Sequence, residues 1–366
     1  LNDRFDKDSA IGLVTARQAL LVYGGDHAKL RFAEAEVYLF CHPFEKRRSI
    51  MAYLVTGGTG FVGRMLIQQL LAETDKSVYV TSRNSRKVSE QFRDPRVIGI
   101  SWDPISQPLL LNEEALHATG LTAVFNLMGE SVAGGRWTSV KKERIRNSRM
   151  DGTRNLVDGL VQSQLLPQLM VSASAVGIYG DRGDQLITED SPIQIEQGNR
   201  FLIDVCQQWE AQADRLADQG VRVVKVRIGI VLGLDGGALE QMIPIFRMGG
   251  GGRLGSGKQW VPWIHQVDLI RLFRWLETET VLTGVVNGTA PNPIQNQQMT
   301  RDIASVLRRP ALLPVPAFAL KVTLGEFSDE LLTSKRVVPA RALAEGFHFR
   351  FSDFRGALED LLGTGR

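Results

Sequence analysis

The segment that most restricts this chain is Thr56-Gly57-Gly58-Thr59-Gly60-Phe61-Val62-Gly63. It follows directly on an apolar run, Ala52–Thr56, and opens an amphipathic one, Phe61–Glu73. Three glycines at this spacing between a strand and a helix point to a dinucleotide-binding turn. Gly57 permits a tight turn out of the strand. Gly60 lets backbone N–H groups approach a pyrophosphate with no Cβ in the way, and Gly63 lets the helix lie close to the sheet. The free N–H groups and dipole of the helix N-terminus then favour the phosphates.

The rest of the chain agrees with this start. Ser77–Ser82 is a second predicted strand, rich in Val and Tyr, and Val97–Ile100 a third. Thr122–Met128 is a continuous apolar run, as expected for a strand buried on both faces. A polar helix is predicted over Ser139–Val161, a strand over Gln168–Ser174, a helix over Arg200–Gln219 stopped by Gly220, and a strand over Val221–Ile228. This alternation predicts an α/β fold, a doubly wound parallel sheet of the Rossmann type with helices on both faces. After about Gly233 the texture changes to glycine clusters (Gly236, Gly237, Gly249–Gly252, Gly255, Gly257), a proline-rich Pro310–Phe318, and helices near 319–325, 330–345 and 353–362. The expected organisation is a dinucleotide-binding domain over 51–235 and a smaller α+β lobe over 236–366.

Residues 1–50 stand apart. They begin with Leu1 and have neither the order of a signal peptide nor the composition of a transit peptide. Residues 43–50 read as a linker, and Met51 as the natural start, with 1–50 an upstream extension. A small docking or regulatory segment is the alternative.

The end of the second strand bears on the choice of dinucleotide. A site selective for NAD carries an acid there for the ribose 2′-hydroxyl. Here stand Thr81, Ser82, Arg83 and Asn84. Arg83 can pair with a 2′-phosphate in bidentate fashion and Ser82 can donate to it. The expectation is NADP(H).

Composition excludes several other classes. A net charge of +3, from 43 basic and 40 acidic residues, is too even for nucleic acid to be the main partner. The two cysteines, Cys41 and Cys206, form no metal-ligand motif and fit a reducing compartment, so a cytoplasmic location and no metal are expected. No run of eighteen apolar residues is present, and no transmembrane helix is expected. A homodimer stays open.

From Met51 to about Leu362 the sequence resembles the extended, or atypical, short-chain dehydrogenase/reductase superfamily. Within it the chain is similar to the NAD-dependent epimerase/dehydratase-like "epimerase family protein" branch, which carries an added C-terminal domain of unknown function, here at about 315–362. The phrases that carry this include Asn126-Leu127-Met128-Gly129-Glu130, Arg136-Trp137-Thr138, Gly152-Thr153-Arg154-Asn155-Leu156, Ser172 to Asp184 (SASAVGIYGDRGD), Trp209-Glu210, Gly229-Ile230-Val231-Leu232-Gly233, Leu254-Gly255-Ser256-Gly257, Trp263-Ile264-His265 and Ala290-Pro291-Asn292-Pro293. The resemblance implies that Gly57, Thr59, Gly60, Phe61 and Val62 meet the pyrophosphate and Arg83 the adenosine ribose. It places Asn126 and Gly129 beside the nicotinamide-side ribose.

The chain departs from the superfamily at the proton donor. A Ser at a strand end, matched by Ser174 or Ser172, should be joined by Tyr-x-x-x-Lys on the next helix. That helix has Phe201 and Leu202, with Val205 and Cys206, in the matching places. Three accounts follow: another acid, with Tyr179 nearest in sequence to Ser174 and Asp181, Glu130 and Arg182 also available; hydride transfer without a strong acid; or cofactor binding without turnover. Tyr179 is alternatively a packing residue. Glu130, Arg136, Trp137 and Lys258 are the candidates for substrate contact, and each has a packing or solvated-surface alternative. His265 is expected to be structural. The function expected is an NADP(H)-dependent oxidoreductase or epimerase acting on a small carbonyl, sugar or nucleotide-sugar. The alternative is a cofactor-binding regulatory protein without turnover, linked to cell or plastid division.

Overall fold

In the computed structural model the chain divides into two compact units, Leu1–Ile50 and Met51–Arg366. The structure describes residues 20–24, 27–32, 35–39 and 51–363, apart from 113–115, 117–119, 134, 197–198 and 312. The first unit contains an antiparallel three-stranded sheet, Leu20–Gly24, His27–Phe32 and Ala35–Leu39. The linker expected over 43–50 lies outside the described residues.

The second unit is built on seven strands: β1 (Met51–Thr56), β2 (Val78–Ser82), β3 (Val97–Ser101), β4 (Gly120–Asn126), β5 (Pro167–Ala175), β6 (Arg222–Ile228) and β7 (Gly284–Gly288). They pair in parallel throughout, in the order β7-β6-β5-β4-β1-β2-β3. Strand order reverses between β1 and β4, the switch point at which open α/β sheets leave a crevice beyond their carboxyl ends.

Helices α1 (Phe61–Glu73), α2 (Ser85–Gln91), α3 (Ser139–Gln162), α4 (Arg200–Asp214), α5 (Gly237–Arg247), α6 (Gln266–Thr278), α7 (Asn296–Leu307), α8 (Ala317–Leu324), α9 (Phe327–Leu332), α10 (Ala340–Ala344) and α11 (Phe354–Leu362) complete the described frame. Side chains alternate across a strand, so each strand feeds both faces. Tyr53, Val55, Phe125, Val171 and Val226 pack under α1 and α6 (Leu66, Ile67, Leu70, Leu269, Phe273). Leu54, Val124, Met170 and Val223 pack under α3 and α4 (Leu156, Val157, Leu160, Ala213). A third core joins α5, α7 and α11 through Leu239, Ile243, Met299, Ile303 and Leu358.

Two expectations need correcting. The chain does not leave the large sheet for good at residue 235: α6 and β7 return to it. The pattern Val-Val-Asn-Gly of β7 is too short to stand out as a strand until it pairs with β6. The helix expected over 330–345 is three pieces, α9, a short strand Arg336–Val337 and α10, because Thr333 is extended and Pro339 cannot donate within a helix. The glycine run at 249–257 is built into the lobe. Gly255 N–H donates to Val315 O at 2.9 Å, and Val315 N–H donates to Arg253 O at 2.8 Å.

Candidate dinucleotide and substrate site

The turn between β1 and α1 has the geometry its glycines demand. Gly57 has φ +68°, and a Cβ there would lie 2.6 Å from Leu127 O at the tip of β4. A Cβ on Gly63 would run into Gly57 O and Gly58 Cα. Both positions therefore exclude larger residues for separate reasons, handedness at one and close helix approach at the other. Gly60 precedes α1 with no side-chain cap, and the first turn of α1 holds no acid. Its N–H groups are left for an anionic ligand. Phe61 packs against Gly236 and Gly237, where a Cβ would stand 2.6 Å and 3.3 Å from the ring side chain. Thr59 and Val62 are half-buried beside the turn.

At the tip of β2, Ser82 is half-buried and Arg83 exposed. Ser82 Oγ accepts from Asn84 N–H at 3.2 Å, and Asn84 caps α2 by accepting from Arg86 N–H at 3.1 Å. Among the described residues Arg83 makes no hydrogen bond or ion pair. Its charge nevertheless reaches Glu130, whose carboxyl is held below the usual range first by the bond from Lys141 and in smaller part by Arg83.

On the face that meets α3 and α4, the strands turn from apolar to polar as they near the carboxyl edge. Leu54 gives way to Thr56, Val124 to Asn126, Met170 to Ser172 and Ser174, and Val223 to Lys225 and Arg227. Thr56, Asn126 and Ser172 lie in register across three strands. Thr56 Oγ1 donates to Asn126 Oδ1 at 2.8 Å, and Asn126 Nδ2 donates to Thr153 Oγ1 at 2.9 Å and Ser172 Oγ at 3.1 Å. Asn126 is fully buried, and its amide is spent on tying β1, β4, β5 and α3 together.

A second network lies two residues further along. Ser174 Oγ donates to Glu210 Oε1 at 2.6 Å. Arg227 grips the same carboxylate twice, Nε to Oε1 at 2.8 Å and Nη2 to Oε2 at 2.9 Å. Burial works against the Arg227 charge, but the bonds to Glu210 more than offset it and hold its pKa up. The guanidinium lies 4.9 Å from the Tyr179 ring. Tyr179 is fully buried and its hydroxyl donates to Asn287 Oδ1 at 2.8 Å. Burial, partly opposed by Arg227, pushes its pKa up. The structure thus joins Ser174 and Tyr179 in one network, but through Glu210 and Arg227, and it encloses the phenol. Glu210, Arg227 and Asn287 are the residues that sequence reasoning did not select. The signal for two of them was legible: a basic residue inside the apolar run Val-Lys-Val-Arg-Ile needs a buried acid, and Trp209-Glu210 supplies it.

The substrate candidates separate. Glu130 Oε1 pairs with Lys141 Nζ at 3.0 Å, and its N–H donates to Ser148 Oγ at 2.9 Å. Arg136 is exposed and lies by Gly325. Trp137 is buried; its ring sits 5.6 Å from both Phe201 and Phe327, and its Nε1 donates to Val132 O. Lys258 is exposed on the glycine-rich loop, and among the described residues its ammonium has no partner. His265 caps α6, with Nδ1 accepting from Val267 N–H at 3.2 Å, so it is structural. Among the described residues no group of His, Cys, Asp or Glu could hold a metal ion, and no helix is long and apolar enough to cross a membrane.

A parallel sheet reversing at β1/β4, with a glycine turn and an uncapped helix at the switch point, defines a dinucleotide-binding α/β protein of the short-chain dehydrogenase/reductase type. The chain belongs to the NAD dependent epimerase/dehydratase family, whose model matches residues 53–287, and a domain of unknown function (DUF1731) matches residues 315–361. It is 40% identical over 322 residues to the epimerase family protein SDR39U1 homolog, chloroplastic, of Arabidopsis thaliana, covering 87% of this chain and 88% of that one. It is 36% identical over 313 residues to the epimerase family protein YfhF of Bacillus subtilis, covering 85% and 98%. The crystal structure of human epimerase family protein SDR39U1 (isoform2) with NADPH superposes with a TM-score of 0.74 at 30% identity, covering 86% of this chain and 99% of that one. Sequence, fold and family agree on a nicotinamide dinucleotide as the cofactor class.

Proposed function

We propose that this protein binds NADP(H) at the β1–α1 turn and acts as an oxidoreductase or epimerase-like enzyme on a small carbonyl, sugar or nucleotide-sugar substrate. The observation that carries the reading is the pair of features at the sheet edge: a turn closed to any Cβ at Gly57 and Gly63, and, at the tip of β2, a free Arg83 where an NAD site would carry an acid. The NADPH in the human relative's structure supports the same choice.

In this reading Gly57, Thr59, Gly60, Phe61 and Val62 hold the pyrophosphate, and Ser82 and Arg83 hold the 2′-phosphate. When bound, the cofactor would supply or accept hydride. The residues of this chain would orient the ligand and bring the reacting carbon within about 3–3.5 Å of the donor. Ser174 is fixed by Glu210, so its hydroxyl proton is committed and its oxygen lone pairs are left to accept. Tyr179 is enclosed, and its hydroxyl proton is committed to Asn287. This favours hydride transfer with the proton exchanged with solvent, or cofactor binding without turnover, over a tyrosine acid.

The test is a fluorescence titration with NADPH and NADH on wild type and Arg83→Ala. Expected is loss of NADPH affinity by about tenfold or more in the variant, equal to ~1.4 kcal/mol, with NADH binding unchanged. Equal binding of both nucleotides by wild type would remove the NADP assignment. A panel of small carbonyl compounds added to the loaded protein then separates turnover from binding alone.

A further inference from the structure

Helix α3 carries to the carboxyl edge of the sheet a cation that the fold leaves without a counter-ion. Arg149 is half-buried. Its Nη1 donates to Glu130 O at 2.9 Å and Ile145 O at 3.1 Å, and its guanidinium lies 5.2 Å from the Trp209 ring. The nearby carboxylates are committed elsewhere: Glu130 to Lys141, Glu210 to Arg227 and Ser174, Glu330 to Lys335. Among the described residues Nε and Nη2 of Arg149 meet no acceptor. Burial pushes its pKa down, opposed only in part by Cys206 and Glu130.

The chain passes close beside this guanidinium at a glycine. A Cβ at Gly129 would lie 3.0 Å from Cζ and 3.1 Å from Nη2 of Arg149. Gly129 is not among the glycines with positive φ. Its backbone therefore gives no conformational reason for glycine, and what the structure offers instead is the close approach of the Arg149 guanidinium, which a Cβ would crowd at Cζ, Nη2 and Nε. The place is also distinct from the phosphate turn. Leu127 O faces Gly57 on the β1 side of the β4 tip, whereas Arg149 lies on the α4 side, close enough to Cys206 to act on its thiol.

We propose that Arg149 is a substrate-recognition residue, and that its free guanidinium edge receives an oxyanion of the small-molecule substrate, a carboxylate or a phosphate, laid across Gly129. The planar fork suits either group. This rests on the dinucleotide reading above and narrows its substrate to an anionic one.

The cofactor's own phosphates are the competing source of an oxyanion, so the experiment has two arms. NADPH is titrated by fluorescence into wild type, Arg149→Met, Arg149→Lys and the exposed control Arg144→Met. Inorganic phosphate and acetate are then titrated, at constant ionic strength, into each NADPH-saturated protein and each nucleotide-free protein, with thermal stability as readout. Expected is a saturable rise in Tm of wild type with at least one anion, weakened about tenfold or more in Arg149→Met and retained in Arg144→Met, with NADPH affinity changed less than about threefold. Loss of NADPH affinity with an unchanged anion response would assign Arg149 to the cofactor and overturn the proposal. No saturable response in wild type, or the same response in Arg149→Met, would also overturn it. If Arg149→Met does not fold, Arg149→Lys decides: it keeps the charge, loses the fork, and should weaken the anion without weakening NADPH. The nucleotide-free arm reads Arg149 even if neither nucleotide binds.

Discussion

Glu210 is the residue on which the buried part of the site turns. Its two carboxylate oxygens take three hydrogen bonds, from Ser174 and from Arg227, with both Glu210 and Arg227 nearly out of solvent. Removing one partner of such a pair leaves a buried charge uncompensated, which costs about 3–5 kcal/mol. Glu210→Ala should lower the unfolding free energy by that amount in urea, and adding Arg227→Met should recover part of it. A loss under about 1 kcal/mol would mean that the pair is not closed in solution. Cys206 shows the opposite case. It occupies one of the places where the superfamily has its lysine, but burial pushes its thiol up to about 12, against the pull of Arg149. It cannot replace a lysine as a cation, and as a thiol it is inert.

Among the elements, α6 depends on a histidine at its entry. His265 is fully buried and caps the helix through Nδ1, which requires that nitrogen to be unprotonated. Burial lowers its pKa below 6.5, with Asp360 and Asp268 opposing only in part. The folded state then binds the proton less well than the unfolded chain does. Stability contributed by His265 is complete above the unfolded pKa of about 6.5 and is lost as pH falls below it. His265→Asn keeps a capping acceptor without the titration. Its unfolding free energy should therefore fall less steeply than that of wild type from about pH 6.5 to 5. Identical slopes in the two proteins would show that the histidine is not protected in the native state.

Over the whole second unit, α9 of the C-terminal segment is latched to α3 and α4 by an aromatic wedge. Trp137 sits between Phe201 of α4 and Phe327 of α9, and Lys142 pairs with Glu326 at 2.5 Å. The ion pair is partly exposed and contributes about 1 kcal/mol or less, so the wedge holds the latch. Trp137→Ala should cost about 3–5 kcal/mol and speed proteolytic cleavage in the segment 308–316. A cleavage pattern and Tm unchanged from wild type would place the latch elsewhere.

The glycine turn, the alternation of strands and helices, and the absence of an acid after β2 were legible in the sequence, because each is a local constraint. A φ of +68° at Gly57 and a helix start beside it depend on neighbours in the chain. The presence of β4, β5 and β6 was legible in their apolar runs for the same reason, but not their order in the sheet. β7 was not legible, since five residues with two glycines become a strand only when β6 offers a partner. Nor were the internal partners of Tyr179, Trp137 and Asn126. Each was read as facing a ligand, with packing as the alternative for Tyr179 and Trp137, and their polar atoms bond Asn287, Val132 and the Thr56–Thr153–Ser172 cluster. Which buried polar atom finds an internal partner, and which guanidinium is left without a paired carboxylate, depends on groups far apart in the sequence. Burial makes an unpaired polar group costly, so the tertiary structure settles each pairing at distances that sequence order does not encode. The sequence by itself determined that the sheet edge carries a dinucleotide turn, because that signal is local; only the packing of α3 and α4 decided that Glu210 is closed by Ser174 and Arg227 while Nε and Nη2 of Arg149 meet no acceptor among the described residues.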